Sequence, residues 1–316
     1  MKALLLAAGL GSRLRPLTEV LPKPLCLFYG RPMLDIVYQQ IMQQGIQHIA
    51  INTHHLHSLI ELHIQKHESV YTPPPQLSYE PVILGTGGAI NPIRTWIGTG
   101  SLLICNSDII ADIDLGQLIL QHQQSGADAT MVLLDRHKKG TTPIAFEGSK
   151  IRAIGDLPVR AAESCRISTF SGIHIIGPRL LEALPRSGSP SVIDGYHQLL
   201  KDGAFIQVFQ HQGFWADLGT PRDYFAAHQA VFHHPDRRAL CERLGLPSNI
   251  VWDDTRSSAL CGSGTVLGRS KDSFILGPIH GDVPIQSCLV YPGVVFKPGQ
   301  AFQDKIITPN FSMDIV

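Results

Sequence analysis

Apolar and polar positions change rhythm twice along this 316-residue chain. From Lys2 to about Asp135, short apolar runs alternate with stretches of helical period. MKALLL, IQHIAINT, QLSYEP, SLLICNSDII and ATMVLLD read as strands. Runs this short and this continuous usually belong to parallel strands buried on both faces. Between them PMLDIVYQQIMQQG, HLHSLIELHIQKH and LGQLILQHQQSG carry the three-and-four spacing of helices, the first stopping at Gly45. GTGGAINPIRTWI opens on glycines and is expected to continue as a helix, with Pro92 near its first turns. Such alternation predicts a doubly wound parallel sheet with right-handed crossovers.

The middle of the chain breaks the alternation. PIAFEGSKIRAIGD predicts a hairpin turning at Gly148-Ser149, and RISTFSGIHIIGP a further strand. SPSVIDGYHQLLKDG reads as a helix capped by Ser191, and PRDYFAAHQAVF as one that starts at Pro221. AFIQVFQHQGFWADLGTP gives a strand, a turn at Gly213 and a short strand ending at Asp217. From about Ile250 helical period disappears. The pairs Val266-Leu267, Ile275-Leu276, Leu289-Val290 and Val294-Val295 suggest a parallel β-helix of only a few hexapeptide turns. HHPDRRALCERLGLP reads as a linking helix. The expected organisation is therefore residues 1–232, a linker over 233–249, and a short β-helix over 250–316.

Composition narrows the function. Lys+Arg and Asp+Glu both number 26, and this balance argues against a nucleic-acid partner. The six cysteines form no C-x-x-C pair and read as reduced and mostly buried, as expected in the cytoplasm. No stretch approaches the ~20 apolar residues of a membrane span, and MKALLL is too short for a signal peptide.

The candidate chemistry begins where the first strand ends. In LAAGLGSRLRPLTEVLPKP, Gly9 and Gly11 allow a tight backbone, and Arg13, Arg15 and Lys23 follow. A glycine-rich turn leaving a strand can aim N–H groups at phosphate. The dinucleotide pattern fails at Leu14, and the P-loop pattern fails because no lysine follows Gly11. Asp108 ends one predicted strand and Asp217 another. Alone, either could cap a helix or serve a turn. Delivered together at the carboxyl ends of strands, they could share Mg²⁺, a hard ion held by a few carboxylates, phosphate oxygens and water.

LAAGLGSRLRPLTEVLPKPL, LGTGGAI, NSDII and FWADLGTPRDY together resemble the sugar-1-phosphate nucleotidylyltransferases over roughly residues 1–232. The tail is similar to that of members with a left-handed β-helix, such as mannose-1-phosphate guanylyltransferases. The resemblance implies a Rossmann-like, GT-A-like mixed α/β sheet with a short C-terminal left-handed parallel β-helix. It implies in-line attack by a sugar 1-phosphate on the α-phosphorus of an NTP, with pyrophosphate leaving and Mg²⁺ as cofactor. Carried over by motif, Leu6, Ala8, Gly9, Gly11 and Ser12 lie along the nucleotide. Arg13 holds the triphosphate, Lys23 bridges the two phosphates, and Asp108 and Asp217 hold the metal. Glu80, Gly85, Thr86 and Gly87 fall where the family binds the base. Asn106, Asp156 and Gly172 fall by the sugar.

At the sugar end the chain departs from its relatives. AIGDLP, with Asp156, stands where many show E-K-P, and GTTPIAF stands where many show Tyr-Gly. These departures leave the sugar open. LGTGGAI and the tail favour GTP with a mannose- or heptose-type 1-phosphate; UTP or dTTP with a hexose 1-phosphate is the alternative. A catalytically silent regulatory subunit is disfavoured because Arg13, Lys23, Asp108 and Asp217 are all present. An acyltransferase tail is disfavoured by its length. Homo-oligomer formation through the tail stays open. His63 and His67, an i, i+4 pair, read as surface or capping positions, and Trp215 as a core or lid position beside Asp217.

Overall fold

The computed structural model describes residues 1–135, 137–138, 141–155, 165–262 and 268–315. The chain divides into two compact units. One holds Met1–Gly9, Gln40–Ile109 and Ile113–Trp215, and the other Leu10–Gln39, Ile110–Asp112 and Ala216–Val316.

The first unit is built on a nine-stranded sheet. Its strands are β1 (Lys2–Leu6), β2 (Ile49–Thr53), β3 (Gln76–Tyr79), β4 (Leu102–Asn106), β5 (Ala129–Leu134), β6 (Pro143–Glu147), β7 (Lys150–Ile154), β8 (Arg166–Ile176) and β9 (Ile206–His211). Their order is β3-β2-β1-β4-β8-β5-β9-β7-β6. The pairs β1–β2, β1–β4, β2–β3 and β5–β9 are parallel, as the apolar runs predict. The interior strands β1 and β2 are almost wholly buried, as strands packed on both faces are.

The sheet is mixed, as the resemblance implies, and the parallel alternation read over Lys2 to about Asp135 gives way at β8. This 11-residue strand lies antiparallel between β4 and β5, and its first half pairs with β6. After β5 the chain makes the predicted hairpin, β6 to β7, instead of a strand–helix crossover. A hairpin reverses direction where a crossover would restore it. The expected helix over GTGGAINPIRTWI is also broken. A turn of helix at Gly85–Gly88 gives way to a 3₁₀ turn at Asn91–Ile93 and a short helix at Arg94–Ile97. Pro92 has no N–H to continue the ladder. The helix Val192–Lys201 is capped as its sequence predicts. The Ser191 side chain accepts from the helix backbone, and the Asp194 side chain reaches back to the Ser191 N–H.

The second unit carries the loop after Gly9, the helices Pro221–Phe232 and Arg237–Leu244, and the tail. In the tail, Ser258–Leu260, Phe274–Ile275, Leu289–Val290 and Lys305–Ile307 stack in parallel, and Ser270–Lys271, Ile285–Gln286 and Phe302–Gln303 form a second parallel ladder. Two ladders of very short strands suggest a β-helix. Buried hydroxyls bridge successive turns. The Ser273 N–H donates to Ser258 Oγ and the Cys288 N–H to Ser273 Oγ, each at 3.1 Å. Of the predicted apolar pairs, Ile275-Leu276 and Leu289-Val290 meet on one ladder, whereas Val295 bridges to His280 outside it. Val294 is buried whereas Val295 is exposed, and Val266-Leu267 lies outside the described residues. Among the described residues the six cysteines form no disulfide, and all but Cys165 are buried. Among the described residues no helix is long and apolar enough to cross a membrane.

Candidate active site

In the first unit, three strands end level. Leu6 lies opposite Asn52 on one side and Asn106 on the other. The loops after β1, β2 and β4 therefore leave one edge of the sheet. Side chains tie these loops to each other. Asn52 Oδ1 accepts from the Ala7 N–H at 2.7 Å, and Asn52 Nδ2 donates to Glu80 Oε1 at 2.8 Å. Glu80 Oε2 accepts from the Leu84 N–H at 2.9 Å. Glu80 is 1% exposed, so its carboxylate works inside the fold as the middle of a relay between two backbone loops. Ser107 ties the next loop to β1. Its hydroxyl and its N–H both donate to the Leu6 carbonyl, at 2.7 and 3.1 Å. Asp108 follows at once and is half-buried.

The glycines of LGTGG answer to backbone crowding. Gly85 has φ +73°, and a Cβ there would lie 2.8 Å from the Pro190 carbonyl oxygen. A Cβ on Gly87 would lie 2.9 Å from Ser191 backbone atoms. The N–H groups of Gly87 and Gly88 donate to Pro190 O, and Thr86 Oγ1 accepts from the Val192 N–H at 3.0 Å. The structure brings Asn106 and Gly172 together. Gly172 has φ +85° within the irregular stretch of β8, and its added Cβ would stand 2.8 Å from Asn106 Nδ2. Beside them Trp215 Nε1 donates to Ser171 O at 2.9 Å, and Lys138 Nζ stands 5.6 Å from the Trp215 ring centroid. Asp156 lies outside the described residues.

In the second unit the basic loop folds on itself. Gly11 takes φ +62°, and its carbonyl accepts from Thr18 Oγ1 at 2.8 Å. A Cβ at Gly11 would meet Thr18 Cγ2 at 2.8 Å and Lys23 Cβ at 3.2 Å. Ser12 begins a 3₁₀ turn that projects Arg13 outward. The Arg13 guanidinium lies against Gly219, where a Cβ would be 2.7 Å from Nη2. Lys23 starts a second 3₁₀ turn between Pro22 and Pro24 and is only 7% exposed. Its Nζ stands 3.9 Å from Asp217 Oδ1. Arg13, Lys23 and Asp217 are thus gathered by Gly11, Thr18 and Gly219. Ala8 and Gly9 lead into this loop from the first unit, and Gly9 has open space around its Cα.

The carboxylates fit a hard cation. Among the described residues no group of three or more His, Cys, Asp or Glu could hold a metal by itself. An ion at Asp108 or Asp217 would complete its shell with phosphate oxygens and water, as Mg²⁺ commonly does. The His63 and His67 rings lie 4.2 Å apart, and His67 ends its helix with Nδ1 bonded to the His63 carbonyl at 2.8 Å. That is a capping arrangement. Sequence reading missed Asn52, Thr18 and Gly219. Only Asn52 carried a signal, as a polar residue closing an otherwise apolar buried run.

A glycine loop leaving β1, followed by a buried lysine facing a carboxylate, is suited to phosphate in an α/β protein without a dinucleotide fingerprint. The nucleotidyl transferase family model matches residues 2–233, and the chain belongs to that family. It is accordingly a nucleotidyltransferase. The mannose-1-phosphate guanylyltransferase catalytic subunit beta of Danio rerio is 26% identical over 302 residues, covering 93% of this chain and 82% of that protein. The mannose-1-phosphate guanyltransferase of Aspergillus fumigatus is 30% identical over 230 residues, covering 71% of this chain and 62% of that protein. A UDP-glucose pyrophosphorylase from Acinetobacter baumanii shares the fold, with a TM-score of 0.60 at 21% identity, covering 77% of this chain and 97% of that one.

Proposed function

We propose that the chain transfers a nucleoside monophosphate from an NTP to a sugar 1-phosphate, releasing pyrophosphate, and that the favoured pair is GTP with a mannose- or heptose-type 1-phosphate. The observation that carries the reading is the buried Lys23 ammonium held 3.9 Å from Asp217 beside an outward-facing Arg13. The names of the Danio and Aspergillus relatives support the choice of base and sugar.

In this reading an oxygen of the sugar phosphate forms a bond to the α-phosphorus while the bond to the bridging oxygen breaks. The electron pair leaves with pyrophosphate. The attacking oxygen is already anionic, so no general base is required. What the chain must do is hold two anions in line and neutralise the departing charge. Lys23, fixed by its flanking prolines, lowers the repulsion between the two phosphates. Arg13 binds the triphosphate and its leaving half. Ala8, Gly9, Gly11 and Ser12 offer backbone to the nucleotide, with Leu6 behind them. Glu80 fixes the base-side loop carrying Gly85, Thr86 and Gly87, and Asn106, Asp156 and Gly172 belong to the sugar side. Asp108 and Asp217 are the residues that would hold Mg²⁺, which when bound supplies Lewis-acid stabilisation of phosphate charge. The division at 1–232, 233–249 and 250–316, the left hand of the tail's β-helix, its use in a homo-oligomer and a cytoplasmic location are parts of the same proposal.

Pyrophosphate release with Mg²⁺ across a grid of NTPs and sugar 1-phosphates tests it. Turnover of GTP with mannose 1-phosphate, lost in Asp108→Asn and in Asp217→Asn, is expected. Turnover confined to UTP or dTTP with a hexose 1-phosphate would overturn the substrate choice. Silence across the grid in a folded, nucleotide-binding protein would overturn the reaction and favour a regulatory subunit.

A further inference from the structure

The tail meets the segment that follows Lys23 at several points, and one of them is a hydrogen-bonding side chain, Tyr291. Tyr291 follows the tail strand Leu289–Val290 and is buried. Its oxygen accepts from the Leu27 N–H at a long 3.4 Å. Tyr224, on the helix that begins four residues after Asp217, donates its hydroxyl to the Leu27 carbonyl. With that proton committed, the 2.8 Å contact between the two hydroxyls has Tyr291 as donor and Tyr224 as acceptor. Burial pushes both tyrosines well above their ordinary pKa, so both hydroxyls keep these protons across the working pH range.

Leu27 is only four residues from Lys23, and the Cys26 N–H already donates to the Lys23 carbonyl at 3.0 Å. The peptide groups on either side of Leu27 are thus gripped from two directions. Tyr224 holds them from the Asp217 side and Tyr291 from the tail. A second contact repeats the pattern three residues on. Gly30 has φ +80°, and a Cβ there would lie 2.8 Å from Cys261 Cβ and 3.1 Å from the Leu276 carbonyl oxygen, both in the tail.

We infer that Tyr291 is a positioning residue for Lys23, so that the tail braces the phosphate-bridging lysine against Asp217 and is part of the transfer machinery. The inference rests on the nucleotidyl-transfer reading for its catalytic half. It makes the tail an internal support, with no second activity needed to explain its presence, and it is compatible with a homo-oligomer formed through the tail.

The test is Tyr291→Phe in the full chain, which removes the hydroxyl and keeps the ring. Tyr291→Phe should lower kcat by on the order of 10-fold, the loss expected when a positioned charge loses one or two hydrogen-bonded supports. KM for both substrates should stay within about 2-fold. In a Lys23→Ala background the same change should have no further effect on kcat, because it acts through the lysine. Equal losses in both backgrounds, or an unchanged kcat, would overturn the inference. Amide hydrogen exchange gives a readout independent of turnover. Exchange across Lys23–Tyr29 should rise in Tyr291→Phe while the first unit is unaltered, and no rise would refute the brace. If the unaltered protein turns over no substrate pair, the nucleotidyl-transfer reading and Tyr291's catalytic role fail, and exchange alone decides whether the brace exists.

Discussion

The relay Ala7–Asn52–Glu80–Leu84 makes a prediction that follows from hydrogen-bond parity alone. Both of its ends are backbone N–H donors, from Ala7 and from Leu84. Between them stand one amide, Asn52, and one carboxylate, Glu80. An amide passes the pattern along because it accepts on one side and donates on the other. A carboxylate ends the pattern because it only accepts. Two facing donors therefore require one acceptor-only group between them, and Glu80→Gln removes it. The amide introduced by that change must give its oxygen to Leu84 and its NH₂ to Asn52. Asn52 must then turn its own NH₂ toward the Ala7 N–H. One buried donor is left facing another, wherever the mismatch settles. An unmet buried polar group costs about 1–3 kcal/mol, and near 2 kcal/mol the midpoint of thermal unfolding should fall by roughly 4–8 °C for a unit of this size. Asn52→Asp alone should be worse at pH 8, since it opposes two carboxylates at hydrogen-bond distance. The double variant Asn52→Asp/Glu80→Gln restores the parity with the carboxylate moved one place along. It should regain most of the loss relative to Glu80→Gln. Calorimetric scans of the four proteins at pH 8 complete the cycle. A double variant no more stable than Glu80→Gln would refute the relay.

Two further outcomes follow from local geometry. Gly11→Ala forces a side chain into φ +62° with its Cβ 2.8 Å from Thr18 Cγ2, so the loop must shift and turnover should fall at least 10-fold, with loss of stability on the order of 1–2 kcal/mol; unchanged kinetics would refute the close approach. His174, with Nδ1 2.7 Å from the Tyr196 hydroxyl, is pushed by burial down to about 3. Between the ordinary value near 6.5 and about 3 the unfolded chain binds a proton that the folded chain refuses, so stability falls as pH falls through that window. His174→Gln should flatten the acid limb by about 1.4 kcal/mol per pH unit below pH ~6 in urea titrations, and an unchanged slope would refute the assignment.

The sequence rhythm made much of the fold legible, for identifiable reasons. Strands with continuous apolar runs, such as KALLL and IAINT, announce their burial because alternate side chains on both faces are packed away from water. The helix at Val192–Lys201 was legible from Ser191 because an N-cap is a local device, and the structure adds the return bond of Asp194 that completes a capping box. The antiparallel placement of β8 was not legible. Strand direction depends on which neighbour the chain meets after a hairpin, and no residue encodes that locally. The tail's repeat was blurred for a related reason. Its apolar pairs lie both on a ladder and outside it, so spacing along the chain mixes distinct positions. At the site, glycines and charges were visible as residue types. What each glycine faces was not, because Gly219 meets Arg13 from more than two hundred residues away.

That difference separates two kinds of residue within the same motifs. Glu80, Thr86, Gly87 and Ser107 spend their polar atoms, or the space their side chains would fill, on neighbouring backbone. They set where loops lie. Arg13, Lys23 and Asp217 present charge, and small neighbours such as Gly11 and Gly219 make room for it. A loop fixed in this way presents its own N–H and carbonyl groups in a set pattern, and backbone groups can distinguish one base edge from another without any base-specific side chain. On the proposed reading that the 85–88 turn meets the base, changing the base preference would require moving that turn against 189–191 and not replacing a single contact residue. Substitutions at Ser189 and Pro190, which touch Gly85 through backbone oxygens, are where such a shift would begin.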